Sequence, residues 1–209
     1  MKVLIADDHQ IVREGLKRIL HHASDIDEVS EAENAQQLLD LLETQHWDVV
    51  VLDINMPGKS GLDVLKEIKH QYPKLPVLIL SMYPESQFAV RMIKQGASGY
   101  LTKASAASEL IQAIRKVYQG GKYISPSVAD KLAEALGSET DKPAHESLSD
   151  REFQVFRFIA TGMTVGEIAV ELTLSVKTIS TYRTKILEKM KLRNNADIVQ
   201  YAVRFKLVE

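Results

Sequence analysis

Two patterns of apolar positions alternate through the first 120 residues. Short β-rich runs, Lys2–Ala6, Asp27–Ala32, Asp48–Asp53, Val77–Ser81 and Gly99–Thr102, are bounded by acids, glycine or proline. Between them, Ile11–His21, Asn34–Thr44, Leu62–His70, Ser86–Lys94 and Ser105–Gln119 carry apolar residues at helical spacing. In the first of these, Ile11, Val12, Leu16, Ile19 and Leu20 fall on one face. Five such repeats predict a doubly wound α/β domain with a five-stranded parallel sheet of flavodoxin-like order 2-1-3-4-5. The runs Val49–Ile54 and Val77–Ser81 lack alternation, as expected of strands covered on both faces.

The α/β pattern ends at Gly120–Gly121. A short helix is predicted from Pro126, in a first turn where proline's missing N–H is harmless, to Leu136. Gly137–Glu146 is polar and aperiodic and reads as an interdomain linker. From Leu148 the pattern is purely helical, with helices predicted at Ser149–Ala160, Thr164–Leu172, Ser175–Lys191 and Asn195–Lys206. Ser149 followed by Glu152 has the spacing of a capping box. The expected division is therefore 1–121, an α/β domain; 122–146, a short helix and linker; and 147–209, an all-α domain of four helices.

Composition narrows the chemistry. With 209 residues, 45% hydrophobic and 26% charged, the chain can bury two modest cores. The lack of cysteine excludes disulfides, Cys-ligated zinc and a thiol nucleophile, and fits a reducing cytoplasm. The opening MKVLIADDH reaches two acids too early for a signal peptide, and the longest apolar runs are strand-sized, so no membrane association is expected. The last 63 residues hold ten Lys and Arg against seven Asp and Glu, a net +3, while the rest holds 16 against 21, a net −5. The two halves should meet different partners.

Ligands of open parallel sheets bind outside the C-terminal strand ends. Asp7 and Asp8 follow the first strand and Asp53 ends the third, its neighbour in the predicted order. Three carboxylates in one cleft repel each other unless a cation joins them, and hard oxygen donors suit Mg²⁺. Ser81 ends the fourth strand and Lys103 follows the fifth, so a hydroxyl and an ammonium face the acids. Singly these residues are unremarkable: Asp8 could cap a helix, Asp53 could shape a turn, and Lys103 could be solvated. Jointly they suit phosphoryl transfer, which relies on positioning and charge neutralisation, with a carboxylate as nucleophile.

The stretches LIADDH, VVVLDINMPGKSG, LILS and GASGYLTK resemble the receiver domains of two-component response regulators, in order and spacing, over about the first 120 residues. The resemblance implies Asp53 as phospho-acceptor. It implies a metal held by Asp8, Asp53 and the Asn55 carbonyl, with Asp7 acting through water. It makes Ser81 the switch hydroxyl, Lys103 the paired lysine and Tyr100 the switch aromatic, while Pro57 and Gly61 shape the loop after the acceptor. Ala104 stands where many receivers have proline with a cis peptide, which leaves that peptide's geometry open. Haloacid-dehalogenase-type phosphatases also use a strand-end aspartate, but they require an acid two residues on. Asn55 occupies that position, so turnover is disfavoured against a lasting phospho-signal, whose lifetime Asn55 and Tyr83 are expected to tune.

In the third helix of the tail, Ile179, Tyr182, Ile186 and Met190 share one face. The other carries Lys177, Ser180, Thr181, Thr184, Lys185 and Glu188, with Ser175 at the cap. Thr173-Leu174 separates it from the helix before, a helix-turn-helix spacing whose bland alternative is a bundle with a solvated face. The stretch from Leu148 to Met190 looks like a LuxR-type helix-turn-helix, a resemblance covering roughly Ser147–Val208. It implies base reading by Ser180, Thr181 and Thr184, and phosphate contacts by Lys177, Thr178, Arg183 and Lys185. It also implies dimerisation through the last helix, whose Ile198, Val199, Ala202 and Val203 are expected in part at the surface.

As a whole the chain resembles the NarL/FixJ class. That resemblance implies a sensor histidine kinase as phosphodonor and an active homodimer on an inverted repeat in double-stranded DNA, with RNA polymerase as a further candidate partner. Two rival readings remain open at this point: a phosphorylation-independent DNA-binding protein, and a phosphatase or relay protein whose tail binds protein.

Overall fold

The strands predicted from continuous apolar runs lie in the middle of the first unit. The computed structural model describes residues 1–56, 59, 61–137, 143–205 and 207–208. Its two units, Met1–Glu134 and Ala135–Glu209, are taken in turn. In the first, β1 (Lys2–Ala6), β2 (Glu28–Ala32), β3 (Val49–Asp53), β4 (Val77–Ser81) and β5 (Gly99–Thr102) form a parallel sheet ordered β2-β1-β3-β4-β5. Every residue of β3 and β4 is buried. Around the sheet run α1 (Gln10–His21), α2 (Ala35–Thr44), α3 (Gly61–Gln71), α4 (Glu85–Lys94) and α5 (Ala106–Tyr118); α6 (Pro126–Gly137) follows in the chain. One face packs Val3, Ile5, Val49, Val51, Leu78 and Leu80 against Leu16 and Leu20 of α1 and Leu110 and Ile114 of α5. The alternate residues Leu4, Val50, Leu52 and Ile79 are buried on the opposite face, as the strand period of two requires.

The registers Ala6↔Leu52, Asp53↔Leu80 and Ser81↔Thr102 align the C-terminal strand ends, and so place Asp7, Asp53, Ser81 and Lys103 at one edge. One expectation about α1 is corrected. Ile11 lies 85% exposed in the first turn, and the buried position two residues on belongs to Arg13. A guanidinium can occupy that place because Asp7 supplies a carbonyl: Arg13 Nη1 donates to Asp7 O at 2.8 Å, and Nη2 to Glu33 at 3.0 Å.

The second unit comprises α7 (Asp150–Ala160), α8 (Val165–Glu171), α9 (Val176–Met190) and α10 (Asn195–Arg204). Phe153, Phe156, Ile159, Ile168, Ile179, Ile186, Ile198 and Ala202 are its buried side chains at helical spacing. The predicted capping box is present, with Ser149 N–H donating to Glu152 at 2.7 Å. A second box, Thr164 with Glu167, starts α8. Part of the expected linker is structured: Ala144–Ser147 is a 3₁₀ turn whose His145 ring lies 5.8–6.0 Å from the Phe153, Tyr201 and Phe205 rings. Residues 138–142 of that linker lie outside the described residues. No helix among the described residues is long and apolar enough to cross a membrane.

Candidate functional site

The strand-end site is a buried charge cluster. Asp7 and Asp53 have no solvent exposure, and Lys103 is 9% exposed. Lys103 Nζ lies 2.6 Å from Asp7 Oδ2 and 2.7 Å from Asp53 Oδ2, bridging two carboxylates from adjacent strands. The backbone holds both ends: Lys103 N–H donates to Ser81 O at 2.7 Å, and Asn55 N–H to Asp53 Oδ1 at 3.0 Å. Burial raises the Asp53 carboxyl above the usual aspartate range, and the neighbouring Asp7 raises it further; Lys103 and the Asn55 N–H offset only part. At Lys103 burial acts downward, but Asp53 and Asp7 outweigh it and hold the ammonium above the ordinary lysine value.

Asp8 does not cap α1. The N-cap is His9, whose N–H donates to Asp7 Oδ1 at 2.8 Å. His9 Nδ1 sits 3.1 Å from Asp7 Oδ1 and 2.9 Å from Asp8 Oδ1. Asp7, Asp8, His9 and Asp53 each place a ligand atom within 4.8 Å of the others. Asp7 Oδ2 and Asp8 Oδ1 are buried and accept no well-formed hydrogen bond, although Lys103 Nζ and His9 Nδ1 lie close to them. Underused hard oxygens in a cluster of three carboxylates fit a divalent cation of the Mg²⁺ kind. Sequence reasoning passed over His9 and Arg13. The signal for His9 was its place directly after the acid pair; Arg13 looked like an exposed helix residue.

Ser81 is fully buried, and its Oγ accepts from Tyr83 N–H at 3.0 Å. Tyr100 is also fully buried, and its Oη donates to Tyr83 O at 2.9 Å. The switch aromatic therefore already points inward in this structure. Both switch side chains are tied to the same residue of the β4–α4 loop. Among the described residues every peptide is trans, Lys103–Ala104 included. Gly61 does what the loop requires: a Cβ there would lie 2.3 Å from Ile54 Cα and 2.9 Å from Asp53 O, so any side chain would push the acceptor strand's end aside. Pro57 lies outside the described residues.

In the second unit the turn between α8 and α9 is closed by Thr173 N–H on Val170 O and Leu174 N–H on Ala169 O, with Thr173 at φ 53°. Ser175 caps α9 by accepting from Thr178 N–H at 3.0 Å. Ile179, Ile186 and Met190 are buried, and Tyr182 half-buried, as predicted for the core face. Lys177, Ser180, Thr181, Thr184 and Lys185 are exposed together, and Thr178 and Arg183 half-exposed. The Thr181 and Thr184 hydroxyls donate to the Lys177 and Ser180 carbonyls, which leaves their lone pairs outward. Arg183 Nε donates to Asn195 Oδ1 at 2.7 Å, so the start of α10 steadies it. The dimer expectation is corrected in part: Ile198 and Ala202 are fully buried in the bundle. Val199 and Val203, 37% and 58% exposed, form the apolar surface of α10.

Residues 3–115 match the response regulator receiver domain, and residues 146–202 the bacterial regulatory proteins of the luxR family. The response regulator GacA of Pseudomonas aeruginosa is 35% identical over all of this chain and 98% of its own length. The oxygen regulatory protein NreC of Staphylococcus epidermidis is 36% identical over the whole of both chains. Among solved structures, RcsB from Salmonella enterica serovar Typhimurium, bound to the promoter rprA in the presence of the phosphomimetic BeF₃⁻, aligns with TM-score 0.62 and 27% identity. That alignment covers 97% of this chain and 98% of that one. A structure of two RcsB dimers bound to two parallel DNAs aligns with TM-score 0.60 and 28% identity over 100% and 99%. The chain belongs to the response regulators of the NarL/FixJ class, in which a receiver domain is joined to a LuxR-type DNA-binding domain.

Proposed function

We propose that Asp53 accepts a phosphoryl group from a sensor histidine kinase, and that this acylphosphate controls dimerisation and sequence-specific DNA binding through α9. The observation that carries the reading is the buried Asp7–Lys103–Asp53 bridge. A nucleophilic carboxylate is held in place with a cation 2.7 Å away, where charge develops during transfer. The P–N bond of the donor phosphohistidine breaks, a P–O bond to Asp53 forms, and the histidine leaves neutral. Asp8, Asp53 and the Asn55 carbonyl would hold Mg²⁺, with Asp7 through water; bound there, the ion neutralises the phosphoryl oxygens. Lys103 supports the same oxygens.

Ser81 Oγ accepts from Tyr83 N–H, which leaves its own O–H to donate to a phosphoryl oxygen on Asp53. Tyr100 grips the carbonyl of the same Tyr83, so the loop moves with both side chains. On the output side, Ser180, Thr181 and Thr184 read base edges, while Lys177, Thr178, Arg183 and Lys185 hold phosphates. Val199 and Val203 form the contact between two copies, which gives two half-sites in inverted repeat. RNA polymerase would meet the assembled dimer. Asp53 in this setting is a signalling residue: autophosphorylation from small donors and slow hydrolysis are its only turnover.

Fluorescence anisotropy on DNA selected by this protein tests the proposal. Acetyl phosphate with Mg²⁺ should tighten binding about tenfold or more for the wild type and leave Asp53→Ala unchanged. Equal affinity of wild type with and without phosphodonor would support the phosphorylation-independent reading instead.

A further inference from the structure

At the opposite end of the sheet, below the N-terminal ends of β4 and β5, lies a cavity of about 380 Å³ bounded by Lys69, Lys74 and Lys122, with Ser98 and Gly96. Among the described residues no carboxylate lines it. Two of its lysines are fixed by backbone carbonyls rather than by acids. Lys69 Nζ donates to Leu75 O at 2.5 Å, and Lys122 Nζ to Ala97 O at 2.7 Å. Among the described residues none of the three lysines forms an ion pair. Gly96, at φ 101°, makes room for the Lys69 stem, which passes 3.1 Å from where a Cβ would stand. Burial lowers the Lys69 ammonium below the ordinary lysine value and Lys122 lowers it further, while burial also lowers Lys122. Lys69 is half-buried, while Lys74 and Lys122 are exposed at the rim, where the carbonyl bonds of Lys69 and Lys122 keep two ammonium groups close together.

A second cavity, of about 720 Å³, shares Pro73, Lys74, Pro76 and Gly120 with the first, and Tyr72 and Tyr118 are in its wall. Each is within the size range of small-ligand sites. The two halves differ in chemistry: the smaller is cationic, while the larger carries Glu43 and Asp48 beside the Tyr72 and Tyr118 rings, so a phosphate belongs in the smaller and an uncharged ring in the larger.

We propose that this double cavity binds a phosphate-bearing small molecule with a planar ring, of nucleotide class. The phosphate sits among Lys69, Lys74 and Lys122, and the ring against Tyr72 and Tyr118. Each fixed ammonium keeps two N–H donors beyond the one given to its carbonyl, enough for a phosphate to collect several charge-assisted bonds. The site is concave, which suits a small molecule better than a flat polyanion or a membrane surface.

The test is calorimetric titration of the full-length protein in EDTA, at constant ionic strength, with inorganic phosphate and with AMP. Both should bind saturably, AMP about tenfold tighter or more. Lys69→Met and Lys122→Met should each weaken AMP about tenfold, and Tyr118→Ala should reduce AMP to the level of phosphate. Asp53→Ala, at the far end of the strands, should change nothing. Thermal melting checks the folding of each variant, and each should melt within a few degrees of wild type. Absence of saturable binding up to about 10 mM, or equal AMP affinity in the Lys69→Met/Lys122→Met double variant, would overturn the site. AMP binding no tighter than phosphate would overturn its aromatic half. Tighter binding in Asp53→Ala, which frees Lys103 from one carboxylate, would place the anion at the acid site instead.

Discussion

Each unit contains a buried carboxylate bonded to a lysine, and the two sit in opposite energetic positions. Glu152 of α7 accepts from Lys189 Nζ at 2.6 Å and from Ser149 N–H at 2.7 Å, and among the described residues no other carboxylate shares that lysine. Burial works against its charge, but Lys189 and Ser149 overcome that and hold its carboxyl below the usual range. Asp53 has a comparable lysine bond at 2.7 Å, yet a fully buried Asp7 shares the same lysine, and its carboxyl is pushed up. One carboxylate is placed to stabilise its fold. The other shares its lysine with Asp7, whose Oδ2, like Asp8 Oδ1, accepts no well-formed hydrogen bond, so a cation arriving at the cluster finds underused oxygens. Reader-helix residues form a third case: exposed and lightly bonded, they can change without disturbing the bundle.

That contrast orders the expected effects of substitution. The largest belongs to Lys103→Met, which strands two buried carboxylates. It should lower receiver stability by roughly 3–5 kcal/mol in EDTA, and Mg²⁺ should raise its melting temperature more than that of wild type. A calorimetric scan with and without Mg²⁺ reads both. Glu152→Gln should cost about 1–2 kcal/mol in the second unit, since it removes a charge-assisted bond to Lys189 and weakens a capping box. The sign with pH follows from a folded value below the unfolded one. Glu152's contribution is present above the ordinary glutamate value of 4.5 and is lost as pH falls through the depressed folded value, so the variant's acid limb should be flatter.

Asp53→Asn should do the reverse. Its folded value is raised, so the ionised group opposes folding at neutral pH; the variant should melt a few degrees higher while accepting no phosphoryl group. A lower melting temperature would mean that Lys103 satisfies Asp53 fully and that the contrast is wrong. On α9, Lys177→Ala should leave stability within about 0.5 kcal/mol and reduce the salt slope of DNA binding by about 1, equally on all sequences. Ser180→Ala should instead relax preference at one base position per half-site, measurable by selection from random DNA. Lys191→Gly relieves the left-handed C-cap at φ 55° and should stabilise α9 by about 0.5–1 kcal/mol without changing DNA binding.

The strands and helices were legible to within one or two residues at most ends, because β3 and β4 are covered on both faces and the helices are not. The acid cluster was legible because strand order converts sequence spacing into proximity, which the register Ala6↔Leu52 makes concrete. Hidden were the features that depend on a partner from elsewhere in the chain. Arg13 is buried because the Asp7 carbonyl and Glu33 meet its guanidinium, and Ile11 is displaced to the surface. His145 sits in a stretch with linker composition, but aromatic rings from two helices capture it. Ile198 and Ala202 have the same apolar character as Val199 and Val203, and only packing separates core from surface on α10.

The central claim is that Asp53 is a phospho-acceptor, and intact-mass analysis after incubation with acetyl phosphate and Mg²⁺ tests it most directly. The account predicts one base-labile adduct of about 80 Da on wild type, absent without Mg²⁺ and absent from Asp53→Ala. No adduct on wild type, or the same adduct on Asp53→Ala, would contradict it.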